Sequence, residues 1–190
     1  MALDIEQIAE LFVVQGAEQY GAEAVSQKQH ALQCAQLAER SGASDELIAS
    51  ALLHDLGHLL TPLAAAPGAA VDDLHQFLAL PFLRGLFGPA VLEPIRLHVA
   101  AKRYLCHVDK HYWASLSPVS QRSLALQGGV FSNEEAAAFI SQDHAADAVA
   151  LRRWDDLAKD PVASPPDWAH YAAVLARVRL AAAPVPISAA

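Results

Sequence analysis

Through most of the chain, apolar residues recur every three or four positions, and no stretch alternates with period two between turn signals. That pattern predicts helices and no strand. Ala2 to Val14 forms a first helix with Ile5, Ile8, Leu11 and Phe12 on one stripe. Gly16 and Gly21 bracket a looser segment that carries Tyr20 and Glu23. Ser26 with Gln29 makes a capping box for a second helix, which Gly42 closes. Ser44 caps a third, with Asp45 and Glu46 in the first turn where the helix dipole favours acids. It runs through Ile48, Leu52 and Leu53 into His54-Asp55, and Gly57 is expected to end it. Thr61 to Ala70 is a Pro/Gly/Ala loop. Val71 to Leu80 resumes a helix that Pro81 breaks, and Leu83 to Gly88 is a turn region. Pro89 opens a helix that reaches Leu105. Ser117-Pro118 opens a short one, with proline at the first helical position where its missing N–H costs nothing. Gln127-Gly128-Gly129 is a tight turn, and Ser132 with Glu135 is another capping box. A helix follows Asp143, Pro161 to Pro166 interrupts the chain, Asp167 to Ala181 is a last helix, and Ala182 to Ala190 is a frayed tail. About nine helical segments make the class all-α, one helical bundle over residues 1–190.

Composition narrows what such a bundle does. The chain has 190 residues, 54% hydrophobic and 18% charged, enough for one packed core. Its net charge of −8 argues against a nucleic-acid surface, which needs clustered Lys and Arg. No apolar run is long enough to span a membrane. Two cysteines, Cys34 and Cys106, sit outside any C-x-x-C pattern and carry no expected redox role. The acidic N-terminus has no leader character, so the expected location is the cytoplasm, and no protein partner is indicated. Nine histidines, by contrast, exceed what packing needs.

An isolated His-Asp dipeptide is usually bland, and a single helical histidine is more often a satisfied core residue than a ligand. The company is what matters. His30 lies on the face shared by Gln27, Cys34 and Leu37. His75 neighbours Leu74 and Leu78, and His98 shares a face with Lys102 four residues on. Arg152 and Asp155, three apart, read equally well as a surface ion pair or as part of a site. His30, His54, Asp55, His75, His98 and Asp155 thus come from several helices, the way bundles build metal centres. A nitrogen and oxygen set without thiolate suits iron, manganese, zinc or nickel. Six side chains are too many for one catalytic metal with open positions and about right for two metals sharing a carboxylate. Lys102 and Arg152 add positive charge and would draw an anion.

The order His30, His54-Asp55, Asp155 resembles the HD-domain metal pattern, and His75 and His98 resemble its dinuclear branch. The match is closer in five segments: residues 29–35, His54-Asp55-Leu56-Gly57-His58, Ala101-Lys102-Arg103-Tyr104-Leu105, Gln127-Gly128-Gly129-Val130, and 153–161. Together they are similar to the HD-domain di-iron oxygenases that break carbon–phosphorus bonds, the family of the glycine-forming 2-amino-1-hydroxyethylphosphonate dioxygenase. The resemblance covers roughly residues 20–161, leaving the first and last helices without a motif. It implies a mixed-valent Fe(II)/Fe(III) pair that uses O2 to break the C–P bond of a 1-hydroxy-2-aminoalkylphosphonate, giving phosphate and glycine. It implies that Asp55 bridges the irons, that His30, His54 and Asp155 hold one, and that His75 and His98 hold the other. By the same resemblance Tyr20 ligates iron in the resting site and Glu23 meets the substrate amine. His58, Lys102, Ser120, Gln127 and Arg152 surround the hydroxyl and phosphonate, with Tyr20, His58 and Lys102 closest to the chemistry. The loop from Leu60 to Leu74 departs from the family, being richer in Ala and Pro.

Three other readings compete. The same chemistry on a trimethylammonio-hydroxyphosphonate would pair Glu23 with a quaternary ammonium. An HD phosphohydrolase would need the His-Asp core but not the extra histidines. A degenerate binding module would have broken ligand positions, and all six are intact.

Overall fold

The structure, a computed structural model, describes residues 3–20, 23–60 and 74–181. Helix α1 spans Ile5–Val14, α2 Gln27–Arg40, α3 Asp45–Leu53 and α4 Leu56–Leu60. Two four-residue helices follow, α5 His75–Leu78 and α6 Leu80–Leu83, and then the long α7, Pro89–Val108. The rest are α8 Tyr112–Ser115, α9 Pro118–Leu126, α10 Asn133–Ile140, α11 Ala145–Leu157 and α12 Trp168–Val178. The described residues contain no strand, only an isolated antiparallel bridge between Gln19 and Ser26. The all-α expectation therefore holds.

Helix α3 organises the bundle. Every residue from Ile48 to Leu53 is buried, as expected of a helix with little polar surface. It packs on α2, α7, α11 and α12, while α7 and α11 make the broadest helix pair. Leu52, Leu53, Leu56, Ile95, Leu151, Tyr171 and Leu175 fill the space between them. The one hydroxyl in this stretch, Ser50, has a single proton to share between two carbonyls within reach, Glu46 at 2.9 Å and Val91 at 2.8 Å. The Val91 contact links α3 to α7 beside Pro94, which sits within α7 without ending it. Among the described residues, no helix is long and apolar enough to cross a membrane.

Several boundaries differ from expectation for identifiable reasons. Helix α1 starts at Ile5 because Asp4 accepts from the Gln7 N–H and Gln7 answers back, a capping box. The helix expected over Val71 to Leu80 begins at His75 among the described residues and breaks at Ala79, two residues before Pro81. Pro81 instead sits in the first turn of α6, where it displaces no hydrogen bond. The last helix stops at Val178, three residues short of Ala181. There the backbone turns extended and the Leu180 N–H donates to the Leu86 carbonyl at 2.9 Å. The Thr61 to Ala70 loop and the tail from Ala182 lie outside the described residues.

Gly57 is the instructive departure. It does not end a helix but lies inside α4, against the backbone of His75. A Cβ there would stand 2.1 Å from the His75 carbonyl oxygen and 2.8 Å from its carbon, so no side chain fits without moving His75. Gly57→Ala is expected to lower stability by about 1–3 kcal/mol, as overpacking does, and to shift the His75 ring. Urea denaturation together with the metal content of the purified variant checks this.

Candidate metal centre

Six side chains from five places in the chain converge beside α3. His30 comes from α2, His54 caps the end of α3, and Asp55 sits in the break before α4. His75 opens α5, His98 lies on α7 and Asp155 on α11. All six are buried. His75 is placed by an unusual backbone, since Leu74 before it takes φ of 53°, a left-handed conformation that side chains normally avoid.

Asp55 stands at the centre, and its two oxygens face different partners. Oδ2 lies 3.3 Å from His54 Nε2 and 3.7 Å from His30 Nε2. Oδ1 lies 3.3 Å from His75 Nε2, 3.7 Å from His98 Nε2 and 4.0 Å from His58 Nε2. Within each group the nitrogens crowd together, at 3.3 Å between His30 and His54 and 3.0 Å between His75 and His98. Asp155 joins the first group, 3.4 Å from His30 Nε2.

These spacings and proton positions fit metal ions. Ligand atoms about 2.1 Å from a metal and at right angles to each other are about 3.0 Å apart. A carbonyl only accepts, so the contact partners fix the tautomers. His30 Nδ1 donates to the Ala158 carbonyl at 2.9 Å, His54 Nδ1 to Ala51 at 3.0 Å, and His98 Nδ1 to Ile95 at 2.7 Å. In the neutral form each therefore turns a lone pair at Nε2 toward the cluster. Lone pairs facing one another at 3.3 Å need a cation between them, and neither buried oxygen of Asp55 receives a hydrogen bond of good geometry. The charge states agree. Burial raises the Asp55 carboxyl, but the His54 imidazole first, then His58 and His75, together outweigh it and hold the group well below the usual carboxylate range. Burial, followed by the charges of His75 and His54, keeps His98 low and neutral. Burial also works against His54, yet Asp55 overrides it and raises the imidazole to about 9. That proton occupies the place a metal ion would take, and metal binding would release it.

The residues around the cluster are also resolved. Tyr20 stacks on His30 with ring centres 3.8 Å apart, and its hydroxyl reaches Asp155 Oδ1 at 3.4 Å. Burial, aided by Asp155 and Asp55, keeps that phenol protonated. His58, half-buried, stacks on His75 at 4.2 Å. Lys102 is buried and donates to Ser123 Oγ at 2.7 Å. Ser120 is buried on α9, and Gln127 caps the C-terminal end of the same helix. The Arg152–Asp155 pair is no surface pair. Both residues are buried, 2.7 Å apart, and the guanidinium also grips Asp156 and reaches the Tyr112 hydroxyl at 3.2 Å. The fork expected to take a phosphonate is thus already engaged. Glu23 faces Lys159 at 3.1 Å.

Sequence reasoning missed Asp156, Ser123 and the partnerships of Tyr112 with Arg152 and of Lys159 with Glu23. It placed Cys34 on the His30 face, and the structure sets its sulfur 3.7 Å from His30 Nε2. Burial, with the Asp155 and Asp55 charges, pushes that thiol well up, so it stays protonated and packs as a small apolar group.

An all-α bundle with a His-Asp pair at its centre, flanked by histidines and a distant aspartate, is the HD-domain class. No protein-family model matches the chain. It is 46% identical over 151 residues to the hydroxymethylphosphonate dioxygenase of Gimesia maris, covering 78% of this chain and 75% of that protein. It is 35% identical over 175 residues to the glycine-betaine-forming [1-hydroxy-2-(trimethylamino)ethyl]phosphonate dioxygenase of Leisingera caerulea, covering 92% and 89%. An uncharacterised protein of Acanthamoeba polyphaga mimivirus is 31% identical over 160 residues, covering 82% and 73%. The chain belongs to the HD-domain dioxygenases that cleave the carbon–phosphorus bond of hydroxyphosphonates, and it is an oxidoreductase.

Proposed function

We propose that the chain, a single HD domain over residues 1–190, holds two irons and uses O2 to cleave a 1-hydroxyphosphonate into phosphate and a carboxylate. The observation that carries this is the split of Asp55, one oxygen toward His30 and His54 and the other toward His75 and His98. His30, His54 and Asp155 would hold one metal and His75 and His98 the other, with Asp55 shared between them. The iron pair, when bound, supplies Lewis acidity toward the substrate hydroxyl and the electrons that engage O2. Hydroxymethylphosphonate plus O2 balances to formate plus phosphate, so no outside reductant is needed. Lys102 receives the phosphonate, with Ser120, Gln127 and His58 around it, while Arg152 fixes the Asp155 carboxylate and adds positive charge. Tyr20 covers His30 and keeps water from that side of the centre. A cytoplasmic location is part of this reading, supported by two free cysteines.

The test is O2 uptake by protein verified to hold two irons, with phosphate assayed alongside. Hydroxymethylphosphonate, 2-amino-1-hydroxyethylphosphonate and its trimethylammonio analogue are the substrates. Coupled O2 loss and phosphate release with any of them supports the reading. No uptake with all three, or phosphoester hydrolysis without O2, overturns it.

Lys102 adds a pH signature. Burial, together with the Arg152 charge, lowers its ammonium to about 7, so the cation exists below that pH and is lost above it. The kcat/KM for a hydroxyphosphonate, which reports the free enzyme, is expected to fall as pH rises through about 7. Lys102→Arg should move that fall out of the accessible range.

A further inference from the structure

Asp156 and Tyr112 hold no place among the six converging ligands, yet both grip the residue that supports one of them. Asp155 and Asp156 stand three and four residues after Arg152 on α11, so both side chains fall on its side of the helix, and Tyr112 reaches the group from α8. The guanidinium nitrogens are divided between the two carboxylates. Nη1 lies 2.7 Å from Asp155 Oδ2. Nη2 and Nε face the two oxygens of Asp156, Nε at 3.2 Å. The Tyr112 hydroxyl donates to Asp156 Oδ2 and lies 3.2 Å from Arg152 Nε, whose single proton it shares with that carboxylate. Burial, with the Asp156 charge and against that of Arg152, keeps the phenol protonated and able to donate. Asp155 thus has two faces: Oδ2 rests on Arg152, and Oδ1 lies 3.4 Å from His30 Nε2.

We infer that Asp156 and Tyr112 are positioning residues for the metal centre: acting through Arg152, they hold the guanidinium to one oxygen of Asp155 and leave the other oxygen, with its charge, for a metal ion. The inference rests on the centre holding iron, as proposed above. Charge is the first reason. The side chains of Arg152 and Asp155 are 6% and 3% exposed and that of Asp156 is 14% exposed, so water does little to screen them. Arg152 with Asp155 alone is a neutral pair and a weak ligand for a cation. Asp156 sets a second carboxylate against the same guanidinium, so the three together keep one negative charge. Shape is the second reason. A guanidinium fork matches both oxygens of one carboxylate. Asp156 takes that two-point grip, which would otherwise be open to Asp155 and would compete with a metal for Oδ1. The Tyr112 hydroxyl fixes Asp156 in place, as outer hydrogen bonds commonly orient the groups that bind a metal.

The experiment compares wild type, Asp156→Asn and Tyr112→Phe, each iron-loaded, by competition with an iron chelator and by Mössbauer spectroscopy, which records the two irons separately. Asp156→Asn keeps the shape of the side chain and removes its charge. It is expected to weaken the hold on one iron by about 10- to 100-fold, the range for lost outer partners of metal ligands, and to shift the signal of that iron while the other stays as in the wild type. Tyr112→Phe keeps the charge and is expected to move the same signal in the same direction by less. It also carries the test should Asp156→Asn fail to fold. Urea denaturation runs alongside. Variants that lose stability yet retain both irons and both signals as in the wild type would make Asp156 and Tyr112 a brace for the fold alone, overturning the inference and leaving the oxygenase reading intact. A wild type that takes up no iron overturns the metal-centre reading, and the inference with it.

Discussion

Asp55→Asn is expected to reduce iron from two per chain to at most one and to cut O2-dependent phosphate release by more than about 100-fold, beyond the range seen when outer partners of metal ligands are lost. The substitution keeps the shape of the side chain and changes one oxygen into an N–H donor. Whichever way the amide turns, one imidazole group then faces a donor where it had faced an oxygen, with spacings of 3.3 Å that leave no room for adjustment. The negative charge that would draw metal ions is lost as well, and with it the main support for the His54 proton. Iron analysis beside an oxygen-electrode trace decides the matter. A variant with two irons and undiminished turnover would show that the carboxylate does not bridge.

Arg152→Met should have the largest effect on stability, a loss of about 3–5 kcal/mol, the range for removing one partner of a buried ion pair. Asp155 and Asp156 both rest on this guanidinium, and the Tyr112 hydroxyl contacts both Arg152 and Asp156. Methionine fills the volume but takes the guanidinium away from both carboxylates, leaving Asp155 with only the His54 and His30 imidazoles to offset its burial. The pH dependence carries the same information. Burial raises the Asp155 carboxyl, but Arg152 first, then His54 and His30, hold it below its usual range. Its contribution to stability is therefore present above the ordinary carboxylate pKa of about 3.9 and disappears as pH falls further. Urea denaturation from neutral pH downward should show a stability curve that is lower and flatter in the variant, because much of what depresses Asp155 is gone.

What could be read beforehand follows the range of each interaction. Caps are local, so Ser26, Ser44 and Ser132 were legible, and the Asp4–Gln7 box had the same pattern in plain sight. Periodicity gave the helical class and the faces bearing His30 and His98. Composition gave an excess of histidine but no pairing among them, and the grouping of ligands around Asp55 came from the family resemblance. Contacts across the fold were beyond reach. Gly57 looks like a helix terminator until the backbone of His75, eighteen residues later, is seen against it. Glu23 looks available for a substrate until Lys159, far along the chain, is found beside it. Arg152 and Asp155 were visible as neighbours on α11, but whether they faced water or the interior depended on α7 and α2.

The three imidazoles held by carbonyls bear on how such a chain can drift. Ala51, Ile95 and Ala158 each orient a ring through a peptide oxygen, which every amino acid possesses. Replacing the side chain at these positions leaves the acceptor in place, subject only to the room available. Adding or deleting a single residue does not. Between His54 and Ala51, or His98 and Ile95, the interval of three keeps donor and acceptor on one helical turn. Between Asp155 and Ala158 the same interval sets a carboxylate and a carbonyl on opposite sides of the His30 ring. Here the reading frame of the helix decides the alignment: a one-residue indel in any of these intervals would misalign the centre, whereas a substitution at these fully buried positions keeps the acceptor and is limited by core packing alone.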